Sequence, residues 1–132
     1  MERYEKNNGG SNKIKNFSDL IVYKEAHKLV LMIYQITKNF PKEERYGLID
    51  QMRRAVVSIT SNIAEGFSRN TIKDKYQFYT MALGSLLELQ SQLLISKDLN
   101  YLGEQYFYQI SEQIILVRKL LLGLRKINFN NK

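Results

Sequence analysis

The stretch GLIDQMRRAVVSITSNIAEGFSR, residues 47–69, decides the fold. Leu48, Met52, Ala55, Val56, Ile59, Ile63 and Phe67 recur at steps of three and four, which draws one apolar stripe along an α-helix. Among them stand Arg53, Arg54, Ser58, Ser61, Asn62 and Glu65. Small and polar residues this dense beside an apolar stripe predict close helix approach and a specified polar network. Its expected members are Arg54, Ser58, Asn62, Glu65 and the more distant Glu88, with Arg54 paired to Glu65 or Glu88. Neighbouring helical residues lie about 100° apart, so Arg53 is expected to point outward, toward a partner.

The same periodicity extends to both sides. Ser18 reads as an N-cap with Asp19 in the first turn. A first helix then runs to about Asn39, with Leu20, Tyr23, Ala26, Val30, Ile33 and Ile36 or Thr37 inward. Phe40-Pro41 ends it, because the residue before proline disfavours helical backbone. A second helix spans about Glu43 to Gly66. A third starts near Thr71, a candidate N-cap with Asp74 three residues on in the manner of a capping box, and reaches about Lys97. A fourth occupies about Gly103 to Ile127, with Tyr106, Ile110, Ile114, Val117, Leu121 and Leu124 inward.

Four such helices joined by short connections predict an all-α, antiparallel up-down four-helix bundle over residues 17–128. Residues 1–16, centred on the polar run Asn7-Asn8-Gly9-Gly10-Ser11-Asn12, read as a disordered arm, and 129–132 as a tail. Helix three carries more apolar surface than one seam uses, in Leu83, Leu86, Leu87, Leu89, Leu93, Leu94 and Ile95. Helix four adds Ile115, Leu116, Leu120 and Leu122. Apolar surface in such excess marks an interface, here one between copies of the chain.

Composition narrows the chemistry. With 132 residues and no cysteine, the chain suits one domain without disulfides or thiolate metal sites. MERYEKNNGGSNKIKN has no apolar run, and no window approaches the roughly 18 apolar residues of a membrane span, so a cytoplasmic protein without membrane association is expected. His27 is the only histidine; it reads as packed or surface-exposed and cannot supply the paired Glu-x-x-His motifs of di-iron bundles. No carboxylate pair or glycine-rich phosphate loop stands out. Gly84, mid-helix in Ala82-Leu83-Gly84-Ser85, is expected to serve close helix packing. The reading is a protein that is not an enzyme, with no cofactor and no metal.

The net charge of +7 then has to be placed. In an up-down bundle, the start of helix one, the connection between helices two and three and the end of helix four share one end. There fall Lys13, Lys15, Arg69, Lys73, Lys75, Arg118, Lys119, Arg125 and Lys126, while residues 113–132 hold no acid. At the other end, Lys38, Lys42, Arg45 and Lys97 are balanced by Glu43, Glu44, Asp98 and Glu104. Helix-dipole compensation accounts for Arg125 and Lys126 but not for Arg69, Lys73 and Lys75 beside a helix start. An anion-binding end fits better, with RNA or DNA as the partner; Arg53 is a further candidate contact.

The motifs resemble the four-helix-bundle proteins encoded within intervening sequences of bacterial 23S ribosomal RNA genes. The shared pattern comprises Phe17, Leu20 and Tyr23; Phe40 and Pro41; Glu44, Tyr46, Gly47 and Leu48; Gln51, Arg53, Arg54 and Ala55; Ser58 and Ile59; Asn62, Ile63, Ala64, Glu65 and Gly66; and Gly84, Ser85 and Glu88. Gln90 departs from it where the family often has a second glutamate. The resemblance implies a homopentameric ring. It also implies kinship with retroelement accessory proteins whose basic barrels engage nucleic acid and a reverse transcriptase. The expected function is non-enzymatic, oligomeric binding of structured RNA or other nucleic acid through the basic end. The alternative is a protein–protein adaptor ring that presents helix surfaces to a partner enzyme.

Overall fold

The computed structural model describes residues 3–7 and 10–130, with side chains from 13 to 127. Two short strands, β1 (Arg3–Asn7) and β2 (Gly10–Ile14), precede four helices: α1 (Ile21–Thr37), α2 (Leu48–Ser68), α3 (Ile72–Asp98) and α4 (Glu104–Asn130). The fold is therefore four-helical, as the periodicity required. The strands pair antiparallel, Arg3 with Ile14 through Asn7 with Gly10, in place of the expected disordered arm. Ile14 is buried and ties the arm to the core.

Several boundaries differ from expectation for local reasons. The first cap is Asn16, not Ser18. Its side chain accepts the Ser18 N–H at 2.8 Å, while Asp19 accepts the backbone N–H of Lys15 and Asn16, closing a capping box around a single 3-10 turn, Phe17–Asp19. Those two backbone bonds, from Lys15 first and then Asn16, hold the Asp19 carboxyl below its ordinary range. α1 begins only at Ile21. Residues 42–44 form a separate 3-10 turn, so α2 starts at Leu48 and not at Glu43. Thr71 caps α3 as expected, accepting the Asp74 N–H at 3.1 Å. α4 runs through residue 130, two residues into the expected tail; residues 131 and 132 lie outside the described part.

Each helix packs on two others: α2 on α1 and α3, and α4 on α3 and α1. One core joins them, including Ala26, Leu29 and Ile33 of α1, Met52, Val56, Ile59 and Ile63 of α2, Tyr79, Leu86, Leu89 and Leu93 of α3, and Ile110, Ile114, Val117 and Leu121 of α4. On α1 the inward positions are Val22 and Leu29, where Tyr23 and Val30 were expected; the latter two are half-buried. Tyr106, expected inward, is 57% exposed. The α2–α3 contacts step in opposite senses along the two helices: Met52 meets Ser96, Ser58 meets Ser85, and Gly66 meets Lys75.

The α3–α4 turn places Asn100 at φ 62°, a left-handed conformation asparagine tolerates well. Tyr101 then packs its ring against Phe40 and donates to a Glu44 carboxylate oxygen at 2.9 Å, which raises the tyrosine pKa. This contact anchors the charge-balanced end.

Candidate nucleic-acid interface

At the opposite end, the last turn of α2, the first turns of α3 and the last turns of α4 meet. Lys75 makes the junction. It is only 5% exposed, and its ammonium donates to the carbonyl oxygens of Gly66 (3.2 Å) and Phe67 (2.7 Å). Helix C-termini carry unpaired carbonyls and a partial negative charge, so a cation reaching across from α3 satisfies both. Lys75 is accordingly a cap for α2 and not the surface cation that sequence position suggested. Gly66 is required beside it: a Cβ there would sit 2.5 Å from Cε1 of Tyr79, whose ring is fully buried.

Other expected cations reach the surface around this junction. Arg69 lies over the Phe78 ring at 4.5 Å and gives an N–H to Glu65 at 2.9 Å. Arg125 lies over the Tyr76 ring at 4.8 Å and donates to the Thr80 hydroxyl at 3.0 Å. These contacts join α3 to α2 on one flank and to α4 on the other. Lys73 and Lys126 are exposed here, whereas Arg118 and Lys119 are exposed near the middle of α4, about 10 Å along the helix from Arg125; none of the four forms an ion pair among the described residues. Phe78 and Tyr76 were missed as site residues; the signal available was the aromatic run Tyr76-Gln77-Phe78-Tyr79 directly after Lys73 and Lys75.

The polar network resolves differently from expectation. Ser58 and Ser85 share a 2.8 Å hydrogen bond between hydroxyls, and Asn62 donates to the Ser58 carbonyl and hydroxyl. Arg54 is exposed and pairs with Asp50 one turn earlier, at 3.1 Å, not with Glu65 or Glu88. Glu65 is taken by Arg69, and the exposed Glu88 lies 3.5 Å from the Gln92 amide. Arg53, expected outward, instead donates to the Thr37 hydroxyl at 3.0 Å and lies over the Tyr34 ring, tying α2 to α1. The network is thus three residues between α2 and α3, with the arginines engaged elsewhere.

A second surface feature is an open groove of about 660 Å³ along α2 and α3, bordered by Gln51, Arg54, Gly84, Leu87, Glu88 and Ile95. A Cβ on Gly84 would meet nothing within 4 Å, so no helix of this chain explains that glycine. Leu87 (67% exposed), Leu94 and Ile95 on α3 and Ile115 and Leu116 on α4 are left wet. His27 is exposed and stacks on Tyr23. Among the described residues no three histidine or acidic side chains gather as a metal site, and no helix is long and apolar enough to cross a membrane.

A family model described as 23S rRNA-intervening sequence protein matches residues 18–123. The chain belongs to that family. A crystal structure of a protein of unknown function from the S23 ribosomal protein family of Bacteroides thetaiotaomicron is similar to it, with a TM-score of 0.74 and 20% sequence identity over 80% of this chain and 96% of that one. That likeness concerns the fold. No curated protein matches the chain.

Proposed function

We propose that this family member is a non-enzymatic nucleic-acid-binding protein, an antiparallel up-down four-helix bundle that assembles into a ring, most economically a pentamer, and takes up structured RNA through its basic end. The carrying observation is the surface around the α2–α3–α4 junction, where Lys73 and Lys126 stand exposed without carboxylate partners among the described residues, Arg69 and Arg125 are fixed beside them, and exposed Arg118 and Lys119 continue the charge along α4. The opposite stepping of the α2–α3 contacts supports the up-down arrangement. The wet leucines and isoleucines of α3 and α4, with the space beside Gly84, support self-association. A ring would repeat the basic end around an axis and raise affinity for a polyanion through multivalency. Contacts to phosphates position a protein without reading sequence, so base selectivity is slight.

RNA titration at two salt concentrations tests the reading. Neutralising Lys73, Lys119 and Lys126 together is expected to weaken binding and to flatten the salt slope by about 2, since each phosphate contact contributes roughly 0.7–0.9. Neutralising Lys38, Lys42 and Lys97 at the balanced end does much less. Light scattering on the same sample gives a mass several times 15.6 kDa. Absence of binding by the unaltered protein at low salt refutes the nucleic-acid reading. A multimer without RNA affinity favours instead an adaptor ring, whose exposed helix faces engage a partner protein.

A further inference from the structure

We infer that the basic end seats unpaired nucleotide bases on its two arginine–aromatic stacks; this rests on the nucleic-acid reading above and specifies its ligand. Arg69 and Arg125 are held differently from the other cations there. One terminal nitrogen of each guanidinium already donates, that of Arg69 to the Glu65 carboxylate and that of Arg125 to the Thr80 hydroxyl, which fixes the plane of the group. A guanidinium grips phosphate with its edge, through paired N–H donors. Held in this way, each guanidinium offers a ligand its flat face as well as its remaining N–H donors. One face of each lies over an aromatic ring, Phe78 at 4.5 Å and Tyr76 at 4.8 Å. The Arg69 side chain is 43% exposed, and Arg125 is partly exposed, so both arginines reach solvent.

Bases splayed out of a helix stack on guanidinium planes and on aromatic rings, whereas paired bases have their faces covered by neighbours. The two stacks flank α3 on opposite sides, because residues 76 and 78 are about 200° apart around a helix, and they are separated by roughly a helix diameter, ~10 Å. Exposed Lys73 and Gln77 lie on the outward arc between them. Lys73 there meets a backbone phosphate, and Gln77 offers a donor and an acceptor to a base edge. The buried Lys75 bonds fasten α3 to the end of α2, so the platform is preset and does not have to be ordered on binding. Loops and single-stranded ends of a folded RNA present such bases; a continuous duplex does not.

Fluorescence anisotropy with a short single-stranded oligoadenylate and a blunt RNA duplex of equal length, at one low salt concentration, tests this. The single strand is expected to bind at least about tenfold more tightly, the range that stacking of one or two bases gives. The double substitution Arg69→Lys and Arg125→Lys keeps both charges but removes both planes. It is expected to abolish the preference while leaving the salt slope unchanged. Equal binding of strand and duplex by the unaltered protein overturns the inference and leaves the nucleic-acid reading standing, without reference to any variant. A double variant that folds and keeps the preference also overturns it. Failure to bind either RNA overturns both.

Discussion

Replacing Lys75 with methionine tests the most consequential reassignment in the structure. The substitution keeps an unbranched side chain of similar length and removes the ammonium. Two charge-assisted hydrogen bonds, to Gly66 and Phe67 carbonyls at 3.2 and 2.7 Å, are lost. At roughly 1.5 kcal/mol each for bonds to a charged group, the gross loss is ~3 kcal/mol. Part returns, because a charge that is 95% buried no longer has to be desolvated and a thioether packs well there. A net loss of about 2 kcal/mol remains. At about 2.1 cal/mol/K of unfolding entropy per residue, this corresponds to a fall in Tm of roughly 7 °C. Circular dichroism melts measure it, with urea titration as a second determination. The RNA salt slope is expected to stay at the unaltered value, because this lysine does not face solvent. An unchanged Tm, or a salt slope reduced by about one phosphate contact, refutes the cap and restores Lys75 to the binding surface.

Gly66→Ala gains about 1 kcal/mol in helix propensity, yet its Cβ would meet the Tyr79 ring at 2.5 Å inside a filled core, and overpacking of this kind costs about 1–3 kcal/mol. A lowered Tm is expected; a raised one shows that Tyr79 moves aside freely. Glu25 supplies a pH dependence. The Gln113 amide, 3.0 Å from its carboxylate, chiefly holds its pKa below the ordinary 4.5, and Lys28 adds to this against partial desolvation. A carboxyl depressed on folding contributes stability above its unfolded pKa and loses it as pH falls through the folded value. The Tm gap between the unaltered protein and Gln113→Leu is therefore expected to narrow below about pH 4.5. A constant gap assigns the whole effect to the Gln113 bond with the Glu25 carbonyl, which does not titrate.

The four helices, the Thr71 cap and most of the α2 stripe were legible because helix periodicity and capping are local, written within three or four residues. The pairing of the two arm strands and the Asn16 cap were equally local and were obscured by polar composition. The pairings of Arg54 with Asp50 and Arg69 with Glu65 also lie at a spacing of four, and both outcompeted the longer-range partners expected for Arg54 and Glu65. What no local pattern held is the direction in which a side chain crosses to another helix. Lys75 sits in a basic run like Lys73, two residues away, but two positions on a helix are about 200° of rotation. That rotation sends one ammonium into the end of α2 and the other into solvent. In the same way Arg53 turned to α1, and Arg69 and Arg125 found Phe78 and Tyr76 only once α2 and α4 were laid on either side of α3. The sequence by itself determined where helices form and that their charge is uneven. Tertiary packing decided which cations are structural and which are presented, because burial and partnership depend on the neighbouring helix as much as on the residue.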